Sequence, residues 1–254
     1  MLAVERRNKI EQIIMKERTV LVTELAKAFD VTSETIRADL EKLEKQGVLV
    51  RTYGGAMIAE SSESELAITE RDTVNYEGKQ RIGKRASELI RDGETIFLDA
   101  STSAWHLARY IKVKRGITVI TNADKIVSEL SDCPHIHVIC TGGQLEARNM
   151  SFVGRAAEKT IREIYYANKF FFSCKGITLS RGLVDSSEAE AEIKKAMLDM
   201  SESAVFLCDK NKIGKLGVPV ISGLDRIDCL VTDAKLSEEW TDELAKKDVQ
   251  LITV

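Results

Sequence analysis

From Thr95 onward, short continuous apolar runs return at intervals of roughly 20 to 35 residues with helical stretches between most of them, and this recurrence limits the fold more than any other feature. The runs are Thr95-Ile96-Phe97-Leu98, Ile117 to Ile120, Ile136 to Cys140, Phe170 to Phe172, Ala204 to Cys208, Ile227 to Val231 and Val249 to Ile252. A strand with one wet face alternates apolar and polar residues; a continuous run needs cover on both faces. Such strands, separated by helices, predict a largely parallel sheet with helices on both sides, an open Rossmann-like α/β domain. A helix with Ile82, Ala86, Leu89 and Ile90 as its apolar stripe, closed by Gly93, leads into the first strand.

Residues 1–57 obey a different period. Ile10, Ile13 and Ile14 mark one face of a first helix. After the extended Val20 to Val22, Thr23 is placed to cap a second helix with Leu25, Ala26 and Phe29 buried, and Asp30-Val31 makes the turn. Thr32 is placed to cap a third, in which Ile36, Leu40 and Leu43 form one stripe, and Gly47 ends it. The β-prone stretch from Val48 to Met57, broken by Gly54-Gly55, predicts a hairpin. Three helices and a hairpin make a winged helix-turn-helix over 1–57. The polar, weakly periodic residues 58–75 read as a linker, and 76–254 as the α/β domain.

A net charge of −3 argues against non-specific coating of nucleic acid. No apolar run reaches the ~20 residues of a membrane helix, and the charged start, with Glu5, Arg6, Arg7, Lys9 and Glu11, lacks a signal peptide's apolar centre, so a cytoplasmic protein is expected. The five cysteines contain no C-x-x-C pair and mostly lie in apolar runs, which fits reduced thiols. Cys133, His135, His137 and Cys140 match no zinc-binding spacing; neither a metal nor another cofactor is expected. Trp105 and His106 read as packing residues.

In a helix-turn-helix the third helix enters the major groove by its N-terminal end. Here Thr32, Ser33, Glu34, Thr35, Arg37, Ala38 and Lys42 lie on its outward side. Arg37 has the fork to pair with guanine O6 and N7, Thr35 and Ser33 suit phosphate, and Arg51 and Tyr53 in the hairpin suit the DNA backbone. The plainer reading is a solvated helix face, and the order of elements favours DNA.

These residues carry a resemblance. Arg6-x3-Ile10-x3-Ile14, followed by Thr32-x2-Thr35-Ile36-Arg37-Ala38-Asp39-Leu40, with Leu43, Gly47 and Arg51-Thr52-Tyr53-Gly54-Gly55-Ala56, is similar to the helix-turn-helix signature of the DeoR family of bacterial sugar-metabolism repressors. Tyr53 stands where that family more often has histidine. The resemblance covers almost the whole chain. It implies a repressor of double-stranded operator DNA with a sugar-phosphate-isomerase-like sensor domain, released by a small phosphorylated sugar. Because half-sites are read in pairs, a homodimer or homotetramer is expected.

In the larger domain, Asp99-Ala100-Ser101-Thr102-Ser103 follows a strand and opens a helix, where backbone N–H groups and hydroxyls form an anion site. Thr121-Asn122, Thr141-Gly142-Gly143 and Lys175-Gly176 end other strands and converge at the edge where open sheets bind ligands; the resemblance assigns them to the effector pocket. It likewise implies phosphate contacts from Lys194 and from the Asp209-Lys210-Asn211-Lys212 loop. Each has an ordinary alternative as a helix cap, a turn or a surface lysine. Where relatives often carry Ala-Asp-Gly, this chain has Ser173-Cys174-Lys175-Gly176, so Lys175 is open to contacting phosphate or to pairing with Asp185 or Glu188. Isomerisation needs a positioned carboxylate base, which this loop does not offer, and no catalytic residue is expected.

Overall fold

A computed structural model describes residues 3–17, 19–45, 49–52, 54–58 and 67–254. The chain divides into two compact units, Met1–Leu66 and Ala67–Val254.

In the first unit the elements run α1 (Ala3–Glu17), β1 (Thr19–Leu21), α2 (Val22–Phe29), α3 (Ser33–Lys45), β2 (Leu49–Thr52) and β3 (Gly55–Ile58). Ile10 and Ile14 of α1, Leu25 of α2, and Ile36, Leu40 and Leu43 of α3 meet in one core with Val20 and Leu49. The expected hairpin pairs β2 with β3, and β1 joins as a third strand on the far side of β3. The two glycines of the turn serve different needs. Gly54 sits at φ 91°, where a side chain is strained, whereas a Cβ on Gly55 would lie 2.2 Å from the Val20 carbonyl oxygen. Thr23 does not cap α2: the helix starts at Val22 behind Leu21, which offers no side-chain cap. Instead the Val22 amide donates to the Gly54 carbonyl at 2.9 Å, so the wing closes the helix start. Asp30 takes the left-handed conformation at φ 52° and turns the chain into α3. Gly47 and Tyr53 lie outside the described residues.

The second unit begins inside the segment expected to be linker. Ile68–Thr73 forms a short helix, α4, because Ile68 is buried and its amide is held by the Arg148 carbonyl at 3.1 Å, a long-range anchor that a polar sequence conceals. Then follow α5 (Tyr76–Ser87), β4 (Thr95–Leu98), α6 (Thr102–Tyr110), β5 (Thr118–Thr121), α7 (Asp124–Leu130), β6 (His137–Cys140), β7 (Gln144–Glu146), β8 (Ser151–Val153), α8 (Arg155–Ile164), β9 (Ala167–Phe172), β10 (Gly176–Thr178), β11 (Gly182–Val184), α9 (Glu188–Asp199), β12 (Ser201–Cys208), β13 (Val220–Ser222), β14 (Cys229–Thr232), α10 (Glu238–Lys246) and β15 (Gln250–Thr253).

All seven apolar runs become strands of one parallel sheet, in the order β15-β14-β12-β9-β4-β5-β6. Alternate residues face opposite cores: Phe97, Phe170, Phe172 and Phe206 join one, while Ile96, Leu98, Phe171, Val205 and Leu207 join the other. Both faces are therefore covered, which is why the runs are continuous. The strands β7-β8 and β10-β11-β13 form two small antiparallel sheets with no counterpart in the sequence reading, each strand only three residues long.

From β4 the chain winds outward through β5 and β6, then returns to place β9 on the other side of β4. The strand order therefore reverses between β4 and β9, and the loops leaving their C-terminal ends diverge around a crevice.

Candidate functional site

In the first unit, α3 keeps its inner side for the core and turns the expected reading residues outward. Thr32 accepts a hydrogen bond from the Thr35 amide at 3.3 Å and caps the helix. Thr32, Glu34, Arg37, Ala38 and Lys42 are exposed, and Ser33 and Thr35 half-buried. Arg37 lies 3.4 Å from Glu34, both side chains being mostly exposed, so the pair is weak. Arg51 is held by Glu44 through its side chain at 3.3 Å and its amide at 2.9 Å, which orients the wing against α3. Two signature residues turn inward: Arg6 donates to buried Asp39 at 2.6 Å and Arg7 at 3.2 Å, clamping α1 to α3.

In the second unit the crevice brings together Asp99, Ser101 and Ser103 from the end of β4, Asn122 from the end of β5, and Ser173 from the end of β9. Ser101 acts as a helix cap: its hydroxyl accepts from the Ala104 amide at 3.1 Å and donates to Asp99 at 2.6 Å. The Asp99 carboxylate also accepts from the Ser173 amide at 3.3 Å, tying the two sides of the reversal together. Burial pushes its carboxyl up to about 6, against the pull of Lys194 and of the hydrogen bonds from Ser101 and Ser173. Three buried polar atoms here have no partner: Ser103 Oγ, Asn122 Oδ1 and Ser173 Oγ. Leaving such a group dry and unpaired costs about 1 to 3 kcal/mol, so each calls for a partner from water or a bound molecule.

Other expected residues have local duties. The Thr121 hydroxyl accepts from the Ala123 amide at 3.1 Å, and Thr102 is buried in the first turn of α6. Gly143, at φ 119°, lies so close to Val153 that a Cβ would meet its carbonyl oxygen at 2.6 Å, while Gly142 is half-buried beside it at the end of β6. Gly176 admits the Lys215 backbone, and Lys175 is half-buried. Asp209 accepts from the Asn211 amide at 3.0 Å; Lys210 is exposed and Lys212 half-buried.

Lys194 is placed differently from the expectation of a phosphate contact. Its buried ammonium donates to Asp185 at 2.8 Å and lies 3.6 Å from both Asp99 and Glu190. Burial opposes its charge, yet Asp185, Glu190 and Asp99 outweigh burial and hold it protonated well above the ordinary lysine range. Glu190 in turn accepts from Asn149 at 3.2 Å and from the Ser151 hydroxyl. One cation among three carboxylates repels rather than attracts an anion. Asp185, one carboxylate considered for Lys175, has Lys194 as its close partner.

The sequence reading missed Lys79. It sits in the first turn of α5, 3% exposed, its ammonium donating to the Arg71 carbonyl. Burial lowers it to about 8 despite Asp209, and Lys212 pushes the same way. In sequence it is one charged residue among several at the start of a helix. The signal that finds it is structural: Gly78 beside it packs so close to Asp233 that a Cβ would stand 2.2 Å from the carboxylate, drawing the start of α5 onto the loop after β14.

The two units match two family descriptions, a DeoR-like helix-turn-helix domain over residues 6–62 and a DeoR C terminal sensor domain over residues 74–234. The uncharacterized HTH-type transcriptional regulator YulB of Bacillus subtilis is 39% identical over 254 residues, covering 100% of this chain and 98% of its own. The chain belongs to the DeoR family. Two further relatives are a putative aga operon transcriptional repressor of Escherichia coli O157:H7, 30% identical across 98% of this chain and 93% of its own, and the L-fucose operon activator of Haemophilus influenzae, 30% identical across 96% and 97%. A ribose 5-phosphate isomerase A from Neisseria gonorrhoeae aligns with 53% of this chain and 52% of its own at 12% identity and a TM-score of 0.39, too distant to carry weight.

As a DeoR-family regulator the chain binds DNA through its helix-turn-helix and senses through its α/β domain. Within that sensor domain Trp105 donates to Glu129 at 3.2 Å under the Arg109 guanidinium, while His106 is fully buried between Asp72, at 2.9 Å, and the Tyr76 ring. Burial lowers the His106 pKa, Arg109 adding to it and Asp72 opposing. His135 binds the Lys112 carbonyl at 2.7 Å, Cys133 is buried and Cys140 exposed. Among the described residues no helix is long and apolar enough to cross a membrane.

Proposed function

We propose that this regulator represses a sugar-catabolism operon in the cytoplasm, and that a phosphorylated sugar bound in the crevice between β4 and β9 releases it from the operator. The observation that carries the effector reading is the trio of unpartnered buried atoms on Ser103, Asn122 and Ser173 at the strand reversal. Hydroxyl-rich ligands supply what each lacks, a donor for Asn122 Oδ1 and partners for two serine hydroxyls. Release requires that the effector bind the DNA-incompetent arrangement more tightly than the competent one. The working form is a homodimer or homotetramer, since paired half-sites need paired α3 helices.

The relative named for an aga operon supports repression; the one named an L-fucose operon activator supports the opposite sign of control through the same two domains. The chain is not an enzyme in this reading. Cys174, in the loop after β9, is pushed up to about 12 by burial and stays a thiol.

The test is to select a preferred duplex from random DNA, then follow its binding by fluorescence anisotropy with hexose and pentose monophosphates and their free sugars. Release by a phosphate ester, with no product by NMR, is the expected result. Tighter binding with an effector establishes the activator reading, and turnover refutes the purely regulatory one.

A further inference from the structure

We propose that Asn149, in the turn between β7 and β8, couples the crevice to the DNA-binding unit by joining the carboxylate cluster around Lys194 to α4, the first element of the sensor unit. This rests on the effector reading above and assigns the positioning residue through which an occupied crevice acts on the chain that leads to the helix-turn-helix.

The connection is an unbroken chain of polar contacts. Asp99 stands at the crevice, where it accepts from the Ser101 hydroxyl at 2.6 Å and from the Ser173 amide at 3.3 Å, and it lies 3.6 Å from the Lys194 ammonium. Lys194 lies 3.6 Å from Glu190, and Glu190 accepts from the Asn149 side-chain amide at 3.2 Å. At the other end of that amide, Asn149 Oδ1 accepts from the Arg71 guanidinium of α4 at 2.8 Å. Asp99, Lys194, Glu190 and Asn149 are all buried, so solvent screens the steps between them little. The Asn149 amide fits this place in one orientation. Turned over, it would set its oxygen against the Glu190 carboxylate and its N–H groups against a guanidinium that has only donors to offer. A shift of Glu190 is therefore felt at Arg71.

Two further observations point to the same segment. The second unit opens at Ala67 and α4 at Ile68, so α4 carries the attachment of the DNA-binding unit, and its start is held by the neighbour of Asn149, the Ile68 amide donating to the Arg148 carbonyl at 3.1 Å. On the other side of Asn149, Met150 takes a left-handed backbone at φ 48°, a strained conformation for a residue other than glycine, which the surrounding contacts must hold in place. Residues 148–150 are thus a short strained segment clasped by α4 and by the carboxylate cluster, with a more relaxed backbone open to it when Glu190 withdraws. A ligand bonded to Ser173 moves the amide that Asp99 accepts from, alters the pull of Asp99 on Lys194 and so shifts Glu190 between Lys194 and Asn149. Operator affinity changes to the extent that the ligand prefers one of the two arrangements.

The experiment uses the full chain and three measurements: the affinity of the ligand-free protein for the selected duplex, by anisotropy; its affinity for the hexose or pentose monophosphate that raises its Tm most, by calorimetry; and the factor by which that monophosphate changes the duplex affinity. For the wild type the factor is expected between about 5 and 150. Asn149→Ala is expected to bring it below about 2 while each separate affinity stays within about 3-fold of wild type, a split that a merely structural role does not produce. Arg71→Met breaks the same contact from the α4 side and is the second variant, should Asn149→Ala fail to fold; it is expected to reduce the factor in the same way. The wild-type factor retained in a folded Asn149→Ala or Arg71→Met protein, or a sugar-phosphate affinity lost together with the factor, overturns the assignment alone. A wild type whose duplex affinity no sugar phosphate changes overturns the phosphorylated-effector reading and this assignment with it.

Discussion

Among the described residues, each unit contains a buried ionic cluster built on a shared partner, and the two have opposite composition. In the first, Arg6 and Arg7 share Asp39, two cations to one carboxylate. In the second, Lys194 is shared by Asp99, Asp185 and Glu190, one cation to three carboxylates. A guanidinium does not shed its proton, so the excess charge of the first cluster is fixed, and it lies in a domain whose partner is a polyanion. A carboxylate can take up a proton, and Asp99, pushed up to about 6, is the member that relieves the second. The first cluster clamps two helices; the second holds the crevice in shape while keeping anions off one of its walls.

Removing the single cation of the second cluster has the largest expected effect. Lys194→Met leaves three buried carboxylates without a counter-ion and should destabilise the sensor domain by about 3 to 5 kcal/mol, read by urea denaturation. A variant as stable as wild type would show that the carboxylates are already neutral or wet. Removing the single anion of the first is next. Asp39→Ala strands two partly buried guanidiniums and should cost the DNA-binding domain about 3 kcal/mol, with operator binding falling in step with folding by circular dichroism. Operator affinity lost from a protein of unchanged stability would make Asp39 a DNA-facing residue instead.

The titratable member sharpens the contrast. Because folding raises the Asp99 pKa above its unfolded value of 3.8, the folded state binds the extra proton between about pH 4 and 6. The Asp99 contribution to stability is therefore greatest below that range and lost as pH rises through 6. Asp99→Asn should flatten this segment of the stability–pH curve, a change on the order of 3 kcal/mol. An unaltered curve would mean that another member of the cluster carries the proton.

The smallest expected effect lies outside both clusters. Arg37→Ala should lower affinity for a selected duplex by about 1 to 3 kcal/mol while leaving random DNA and Tm nearly unchanged. Equal loss on both DNAs would place Arg37 on phosphate.

The sequence by itself determined the seven strands of the parallel sheet, the three helices and hairpin of the winged domain, and the outward side of α3. The sheet strands are read from continuous apolar runs and the helices from the 3.6-residue period, over segments long enough to show them. The three-residue strands of the two small antiparallel sheets offer no such length, and α4 exists because distant Arg148 holds Ile68. The crevice was legible only as a set of loops that end strands: Ser101, Ser103 and Asn122 are singled out by the sequence, whereas Ser173 is not. What each does depended on partners far away in the chain. Lys194 and Lys79 are both lysines on helices with nothing local to separate them, yet one is enclosed by carboxylates from three segments and the other meets none within ion-pair distance among the described residues. Charge acts through space and burial, not along the sequence, so only the tertiary structure decided which lysine is enclosed by carboxylates.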